Sequence, residues 1–467
     1  MRRKNIVLIT VDSLRYDALG CDGAVGISTS NIDHLAERGV LLRQAVANGP
    51  RTQSSFPAIM CSLYPLAAGE REALPTEATT LAEALRDAGY RTAALNPSNP
   101  FLTRESGYDR GFGLFVDFWD VHPRRGPHAA AGRWRSLKRG VHDAMGRRDL
   151  GFLMLFQAAF QKVGGQYLTG EVIADQGFAW AREQDEPFFL WLHFMDVHYP
   201  YTPLPGRWRR RDRVRCMAGM AGLLAGRQRG ALRALRSLYD SRVELVDRIL
   251  GSLLQRMKHA GLDDRTVIVV TSDHGERFRE HGGHAHGPDL YDELLRIPLI
   301  AAGPELPAGL ERTEQVSLIG LAPTLLELAE VAVPDCFSGG SFLPLLQGRS
   351  GAGESHVFSE AMHSGGRQSR VGVPDRYRVM SCRTPDWKLI RDEQGPAEEL
   401  YDLAADPGEK VNLIGERPNV ADELRRELDR HAEEVARHAS RFSGRRAAGV
   451  AAEDDEVRRR LAALGYL

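Results

Sequence analysis

Residues 267–276 read VIVVTSDHGE, an apolar run that ends in a polar turn containing Asp273 and His274. A short run of β-branched residues closed by such a turn is typical of a buried strand in a parallel sheet. Open α/β sheets bind their ligands at the carboxyl ends of such strands. An adjacent carboxylate and imidazole suit a divalent metal, although the pair would serve equally as a turn and helix cap. Three more histidines follow within twelve residues and favour a binding site: His281, His284 and His286.

Two other apolar runs end in the same way. Residues 5–11, NIVLITV, lead into Asp12, and residues 188–193, FFLWLH, lead into a segment containing His198. Amphipathic patterns at 79–88 and 238–257 predict helices between the strands. This alternation of strands and helices predicts an α/β fold whose strand ends share one edge of the sheet.

A fourth candidate position lies at a predicted helix start. Gly49 and Pro50 interrupt the chain, and a helix is expected to begin near Thr52. The positive end of a helix dipole favours an anion such as a phosphate or sulfate group. Taken alone, Thr52 is most simply an N-cap residue.

Considered together, these positions predict one reactive site. Asp12, Asp273 and His274 would hold a divalent metal, with the Thr52 hydroxyl beside it as a further ligand and as the nucleophile. Two carboxylates, an imidazole and a hydroxyl suit manganese or zinc at least as well as calcium.

Three further side chains are predicted to handle the transferred anion. The imidazoles of His198 and His286 would bind its oxygens or protonate the leaving group, so they are predicted to act in both catalysis and substrate binding. Arg51 would add positive charge beside Thr52. An anionic ester is therefore the expected substrate.

Length and composition bound the organisation of the chain. Its 467 residues are too many for one core, so a large domain and a smaller one are expected. A linker-like GRSGAG stretch separates a predicted catalytic domain, residues 1–348, from a predicted C-terminal α+β subdomain, residues 354–467. Loosely patterned, Arg-rich stretches at about 122–167 and 206–236 are predicted to be insertions.

The charge pattern and the apolar pattern disfavour several partners. The formal net charge is −1, so nucleic acid is not an expected partner, and the basic stretch 206–236 fits a solvated helical face or a lid over an anionic substrate better. No apolar run is long enough for a transmembrane segment. The first apolar run breaks at Asp12 without a cleavage site, and the five cysteines are scattered, which together predict a cytoplasmic location.

Five segments carry a family resemblance, and they run in the family's order along most of the chain. Residues 5–20 read NIVLITVDSLRYDALG, 193–201 HFMDVHYPY, 271–276 TSDHGE, 290–299 LYDELLRIPL and 400–413 LYDLAADPGEKVNL. The chain thereby resembles the sulfatase family of the alkaline phosphatase superfamily. The resemblance implies a mixed α/β sheet sandwiched by helices, a smaller C-terminal α+β subdomain, and metal-dependent cleavage of sulfate or phosphate esters.

The departures from the family pattern shape the predicted chemistry. Sulfatases proper carry a Cys or Ser in a Cys-x-Pro-x-Arg pattern that is converted to formylglycine. Here Thr52 aligns with that position and is followed by QSSF, and Cys61 does not restore the pattern, so no formylglycine is expected. Ser13 stands where many sulfatases have a second aspartate, and His286 stands where they have a lysine.

A threonine nucleophile resembles that of the phosphoglycerol transferases, phosphoethanolamine transferases and phosphodiesterases of the superfamily. A formylglycine hydrate expels sulfate through its second hydroxyl, whereas a Thr52 ester must be released by a second in-line displacement, a step suited to phosphoryl groups. The sequence therefore predicts a hydrolase or transferase that cleaves a phosphate monoester or diester of a small molecule, glycan or lipid headgroup. Two alternatives stay open: a sulfuric ester hydrolase, and a catalytically silent member that binds an anion or a partner.

Overall fold

A computed structural model describes most of the chain: residues 3–69, 73–117, 169–199, 201, 228–351, 353–364, 376–393 and 398–442. The predicted insertion at 122–167 lies outside the described residues, as does the part of the second insertion up to residue 227. Residues 228–236 belong to the start of a long helix.

The larger part of the chain is built on one mixed sheet. Among the residues that the structure describes, ten strands precede the C-terminal region: β1 (Asn5–Val11), β2 (Val40–Val46), β3 (Arg91–Leu95), β4 (Leu114–Val116), β5 (Phe188–Phe194), β6 (Thr266–Thr271), β7 (Arg277–Phe278), β8 (His284–Ala285), β9 (Arg296–Ala302) and β10 (Leu310–Ser317). Eight form the sheet in the order β10-β2-β9-β6-β1-β5-β3-β4, while β7 and β8 pair as a separate hairpin. Strand β9 runs antiparallel to both its neighbours and the other pairs are parallel, which confirms the predicted mixed sheet.

Helices cover both faces of this sheet. In chain order they are α1 (Ser30–Glu37), α2 (Thr52–Cys61), α3 (Pro65–Ala68), α4 (Leu81–Asp87), α5 (Gly170–Ala181), α6 (Gln228–His259), α7 (Asp292–Leu295), α8 (Leu321–Leu328) and α9 (Leu343–Leu346). Helices α1, α5 and α6 pack on one face, and α2, α4, α8 and α9 pack on the other.

The double covering explains why the strands are apolar throughout. In β1, Ile6 and Leu8 enter the core cluster on one face, while Val7 and Ile9 enter the cluster on the opposite face. All four side chains are fully buried. Burying each one contributes about 1.5–3 kcal/mol relative to exposure, so apolar side chains fill both faces along most of a central strand, and Thr10 in β1 lies next to its end.

The C-terminal region adds a second, smaller sheet, as predicted. Its antiparallel strands are β11 (Val357–Ser364), β12 (Arg376–Arg383), β13 (Trp387–Asp392) and β14 (Glu399–Asp402), followed by helix α10 (Pro418–Arg441). Leu424 and Leu428 of α10 pack with Leu389 and Leu400 of the sheet. Val357 also belongs to the main core cluster, so the two sheets share buried surface. The boundary at residues 348–354 remains a prediction.

A buried charge cluster joins the two sheets. The Lys388 ammonium on β13 is fully buried and lies 2.8 Å from an oxygen of Asp292 in α7 and 2.8 Å from an oxygen of Glu409. Arg383 on β12 adds a second cation, 3.2 Å from Asp292. Buried charges of this kind are tolerated only when they are paired, so each member depends on the others.

We expect Lys388→Met to destabilise the protein strongly. The substitution preserves the length of the side chain but leaves Asp292 and Glu409 buried without their ammonium partner, which costs about 3–5 kcal/mol of unfolding free energy. The midpoint of urea unfolding measures the loss. Lys4→Met is the control, because its partner Glu305 is 57% exposed and such a surface pair contributes about 0–1 kcal/mol. Equal losses in both variants would contradict the account of the cluster.

Candidate active site

The polar strand ends meet at one edge of the main sheet. Strand β1 pairs in parallel with β6 and β5, with Thr10 opposite both Thr271 and His193. Asp12 follows β1, and Asp273 and His274 follow β6, so adjacent parallel strands deliver all three to the same place. Each of these three side chains is completely buried.

Asp12, Asp273 and His274 form a compact group of possible metal ligands. One ligand atom from each residue lies within 4.8 Å of the others. The Nε2 atom of His274 is 3.7 Å from Asp12 Oδ1 and 3.5 Å from Asp273 Oδ2. These separations are too long for good hydrogen bonds, and they leave a small space between two carboxylate oxygens and one imidazole nitrogen that could bind a metal.

The hydrogen bonds around the group aim free electron pairs into that space. The Nδ1 atom of His274 lies 2.8 Å from the carbonyl oxygen of Gly275, so Nδ1 carries the proton and Nε2 presents a lone pair. Asp273 Oδ1 accepts the backbone N–H groups of Ser13 and His274, at 3.3 and 3.0 Å. Within the described residues, Asp273 Oδ2 and His274 Nε2 have no hydrogen-bond partner. Buried acceptors without hydrogen-bond donors are energetically costly, and a cation bound between them would satisfy both.

The electrostatics of the group agree with this geometry. Burial alone would raise the pKa of Asp12, but the imidazoles of His198, His193 and His274 hold it well below its ordinary value. Burial and the charge of Asp12 raise the pKa of Asp273 well above its ordinary value. Burial lowers the pKa of His274 to about 3, which keeps its ring neutral at pH 7. A cation between the two carboxylates would relieve the repulsion that raises the pKa of Asp273.

Thr52 is the first residue of α2, as predicted. Its side chain is 4% exposed, and its hydroxyl donates to Asp12 Oδ2 at 3.3 Å. The helix start is not capped by Thr52, because Arg51 occupies the N-cap position. The hydroxyl therefore stands at the positive end of a ten-residue helix, directed at the carboxylate of the metal-ligand group.

His198 and His286 also lie together beside this group. Their ring centres are 5.1 Å apart, and the ring of His286 is 4.5 Å from that of His274. Burial and the neighbouring imidazole of His286 lower the pKa of His198 against the opposing effect of Asp12. His286 Nδ1 is 3.5 Å from an oxygen of the buried Glu276, whose other oxygen accepts the Tyr201 hydroxyl at 2.8 Å.

Arg51 precedes α2 and contacts the C-terminal sheet. Its guanidinium donates to the carbonyl oxygen of Met362 on β11 at 2.9 Å. Its backbone is extended and begins α2, so the residue sits directly before Thr52. The predicted role of Arg51 in substrate binding stays a prediction.

Sequence reasoning missed a second layer behind Asp12. The amide of Asn99 donates to Asp12 Oδ2 at 3.2 Å and lies 3.2 Å from His193 Nε2. The other ring nitrogen of His193 lies 2.8 Å from the Thr10 hydroxyl, which also accepts the Trp191 indole N–H at 2.9 Å. Asn99 follows β3, so the rule that singled out Asp12 after β1 could have found it as well.

Comparison with known proteins assigns this chain to a family. The family model described as "Sulfatase" matches residues 4–331, more than two thirds of the chain. The chain belongs to the sulfatase family of hydrolases. A second model, described as "N-sulphoglucosamine sulphohydrolase, C-terminal", matches residues 280–437. The resemblance read from the sequence motifs is therefore confirmed.

Similar proteins within the sulfatase family carry several names. Arylsulfatase K of Xenopus laevis is 32% identical over 207 residues, which span 42% of this chain and 37% of that protein. An arylsulfatase of Clostridium perfringens is 24% identical over 455 residues, spanning 88% of this chain and 90% of that protein. Both of these relatives are named arylsulfatases. This chain spans less than half the length of the first relative and most of the length of the second.

Solved structures of similar fold carry two kinds of name. A phosphonate monoester hydrolase of Agrobacterium radiobacter aligns with a TM-score of 0.67 at 22% identity, covering 94% of this chain and 96% of its own. A 2-O GAG sulfatase aligns with a TM-score of 0.69 at 21% identity, covering 93% of each chain. Both confirm the fold, an α/β sheet between helices with a smaller C-terminal sheet.

The described part of the chain holds no helix that is both long and apolar enough to cross a membrane. The predicted cytoplasmic location stays a prediction.

Proposed function

We propose that this sulfatase-family chain is a metal-dependent phosphoesterase or phosphoryl transferase that acts through a covalent ester on Thr52. The observation that carries the proposal is the hydrogen bond from the Thr52 hydroxyl to Asp12 Oδ2, beside the two orphaned atoms Asp273 Oδ2 and His274 Nε2. The proposed nucleophile, the carboxylate that accepts its hydrogen bond and the group of possible metal ligands therefore lie together in one buried site.

The residues present fit a divalent metal. Asp12, Asp273 and His274 supply two carboxylates and a neutral imidazole, and the Thr52 hydroxyl lies beside them. This donor set suits manganese or zinc at least as well as calcium. When bound, such an ion would neutralise the paired carboxylates, polarise the anionic ester and favour the alkoxide form of the threonine.

In the proposed reaction Thr52 attacks phosphorus and displaces the alcohol of the ester. Asp12 orients the hydroxyl for attack, and the start of α2 presents its free backbone N–H groups towards the incoming anion. The Thr52 hydroxyl gives its proton to solvent water, and the bond from its oxygen to phosphorus forms as the bond to the leaving oxygen breaks and that oxygen takes a proton from an imidazole. Water, or an acceptor alcohol, then attacks phosphorus and gives its proton to the same imidazole, while the bond from phosphorus to the Thr52 oxygen breaks and that oxygen regains a proton from solvent water.

His198 and His286 are the proposed partners of the transferred group. The lowered pKa of His198 keeps it neutral near pH 7, where it can donate one N–H and accept at its other nitrogen. The fully buried Glu276 carboxylate lies 3.5 Å from His286 Nδ1 and would orient the ring, so that its other nitrogen contacts the anionic oxygens or protonates the leaving alcohol. Arg51, next to Thr52 in the chain, would add positive charge at the substrate.

Sulfuric ester hydrolysis is the second candidate. The family model and the arylsulfatase relatives favour it. Against it stands the single hydroxyl of Thr52, because a sulfate ester of threonine has no second hydroxyl through which to expel sulfate. A silent binding protein is disfavoured by the retention of Asp12, Asp273, His274 and the Thr52 hydroxyl in one buried site. The anionic ester would belong to a small molecule, a glycan or a lipid headgroup.

The proposal is tested with matched aryl esters: a phosphate monoester, a phosphate diester, a phosphonate monoester and a sulfate. Metal-stripped protein is assayed alone and with manganese, zinc, calcium or magnesium restored. We expect phosphorus esters to turn over only with metal, at rates exceeding sulfate turnover by at least about tenfold, a difference of about 1.4 kcal/mol in barrier. Faster turnover of the sulfate would establish the second candidate. The absence of both turnover and metal binding would favour the silent member.

A further inference from the structure

The loop that carries Glu276 and His286, residues 275–288, is anchored to the C-terminal region. We call it the histidine loop. The Nε2 atom of His281 lies 2.7 Å from the carbonyl oxygen of Glu409, and the Lys410 ammonium donates to the carbonyl oxygen of Glu280 at 2.6 Å. These contacts join positions about 130 residues apart in the sequence. The C-terminal region therefore bears directly on a loop of the candidate active site.

His281 makes the central contact, and both of its ring nitrogens face acceptors. Nδ1 lies 2.8 Å from a carboxylate oxygen of Glu293, and Nε2 faces the Glu409 carbonyl. A carbonyl oxygen cannot donate, and the Glu293 carboxyl is an ionised acceptor, because burial alone would raise its pKa but its contact with His281 lowers it; both hydrogen bonds therefore form only when both nitrogens carry hydrogen. The ring also stacks on Tyr291, with centres 3.6 Å apart and planes 7° apart. The geometry requires His281 to be an imidazolium ion.

The carbonyl that His281 meets is itself held rigidly. The Glu409 side chain is 1% exposed, pairs with the buried Lys388, and accepts the backbone N–H of Asp292 at 2.6 Å. Its backbone adopts a φ of +54°, a left-handed conformation that a non-glycine residue holds only where its surroundings impose it. The cluster that joins the two sheets thus also fixes the acceptor of the His281 hydrogen bond.

We propose that His281 is a positioning residue, whose imidazolium ties the Glu409 segment to the histidine loop and so fixes His286 opposite His198. This inference rests on the proposed function for the role of His286, but the anchoring itself does not. His281 touches neither the nucleophile nor the metal-ligand group, so its effect on turnover passes through the position of the loop.

The hydrogen bond between His281 and the Glu409 carbonyl, which we call the clasp, is expected to weaken as the pH rises. Burial alone would lower the pKa of His281, but the hydrogen bonds to Glu293 and the Glu409 carbonyl, with the charge of Glu293, raise it above its ordinary value, against the opposing charge of Lys410. The other titratable groups packed here are the Lys388 ammonium, which pairs with both Asp292 and Glu409, the Glu409 carboxylate, whose pKa burial raises to about 7, and the stacked Tyr291 hydroxyl, whose pKa burial also raises. A raised pKa means that the stabilisation is complete below the unfolded-state pKa and is lost as the pH passes the folded-state pKa.

Hydrogen exchange tests the anchoring without any substrate. His281→Phe keeps a ring to stack on Tyr291 and removes both hydrogen bonds. At pH 7 we expect the rate of amide deuterium exchange in the histidine loop to rise at least about tenfold, while the rate in β6 stays unchanged. His34→Phe is the matched control, since His34 is 65% exposed and pairs only with Glu37 on the surface of α1, within the described residues. Equal loop uptake in wild type and His281→Phe would overturn the proposal.

Turnover as a function of pH tests the positioning role, using the aryl ester that the wild type cleaves fastest. Displacing His286 by about 1 Å would lower kcat/KM about 10- to 100-fold in His281→Phe, with unchanged metal affinity. Glu293→Gln keeps a hydrogen-bond acceptor but removes the charge, so the alkaline loss of kcat/KM should move to lower pH. An unmoved alkaline limb would overturn the proposal. If no ester is cleaved, the proposed function fails, and loop exchange still decides whether His281 anchors the loop.

Discussion

Replacing Thr52 by alanine is expected to lower kcat/KM by at least about 10⁴-fold, while the metal stays bound through its three other ligands with a smaller loss of affinity. Removing a covalent nucleophile eliminates the reaction path, whereas Asp12, Asp273 and His274 remain to bind the ion. Thr52→Ser keeps a hydroxyl at the start of α2 and should retain turnover within about 100-fold of the wild type. Steady-state kinetics of the three proteins on one aryl phosphate ester, with metal binding measured by calorimetry, provide the comparison.

A second threonine controls for the loss of a helix-start hydroxyl. Thr80 caps α4, where its side chain accepts the backbone N–H of Glu83 at 3.0 Å, and it is as buried as Thr52. Thr80→Ala should reduce the unfolding free energy by about 1 kcal/mol through loss of the cap and leave kcat/KM unchanged. Wild-type activity in Thr52→Ala would show that another group is the nucleophile.

Removing Asp273 is expected to abolish both metal binding and turnover. Outer-shell partners of metal ligands typically contribute 10- to 100-fold to metal affinity or activity, so loss of a ligand itself should cost more than about 100-fold. The metal should also cease to stabilise the fold. At a metal concentration about 100 times the dissociation constant, the wild type gains about 2.7 kcal/mol from binding, and Asp273→Ala should gain nothing measurable.

Thermal unfolding with and without metal measures this difference directly. Asp87→Asn is the control, because Asp87 is 67% exposed and pairs with its neighbour Arg86 on the surface. We expect its metal-induced rise in Tm to equal that of the wild type. Without metal, Asp273→Ala relieves the repulsion from Asp12 but also loses the hydrogen bonds that Asp273 accepts from Ser13 and His274, so the metal-induced rise in Tm is compared and not the Tm itself. A metal-induced rise in Tm that survives in Asp273→Ala would contradict the assigned metal site.

The central strands of the fold could be predicted from the sequence because both of their faces are buried. Strands β1, β5 and β6 read as continuous apolar runs, and a continuous run needs no knowledge of its neighbours. Strand β10 was missed because its residues Leu310–Ser317 lie at a sheet edge, and its first half is partly exposed and polar. Strand β2 was missed because Arg43 and Gln44 interrupt its apolar pattern.

Some residues of the candidate site could likewise be predicted from the sequence, and others could not. Asp12, Asp273 and His274 could be found from sequence because each directly follows a strand, and parallel neighbours place their ends together. The clasp between His281 and Glu409 could not, because it joins residues 128 apart whose meeting depends on how the two sheets pack. Local patterns reveal what an element presents, whereas contacts across the fold appear only in three dimensions.

The stereochemical course at phosphorus tests the central claim most directly. The wild-type enzyme, with its preferred metal, would cleave a phosphate ester made chiral at phosphorus by oxygen isotopes, with an alcohol acceptor present to keep the product chiral. Each in-line displacement inverts phosphorus, so a Thr52 ester formed and then released gives net retention of configuration. Net inversion would show that the acceptor attacks the substrate directly and would contradict a covalent role for Thr52.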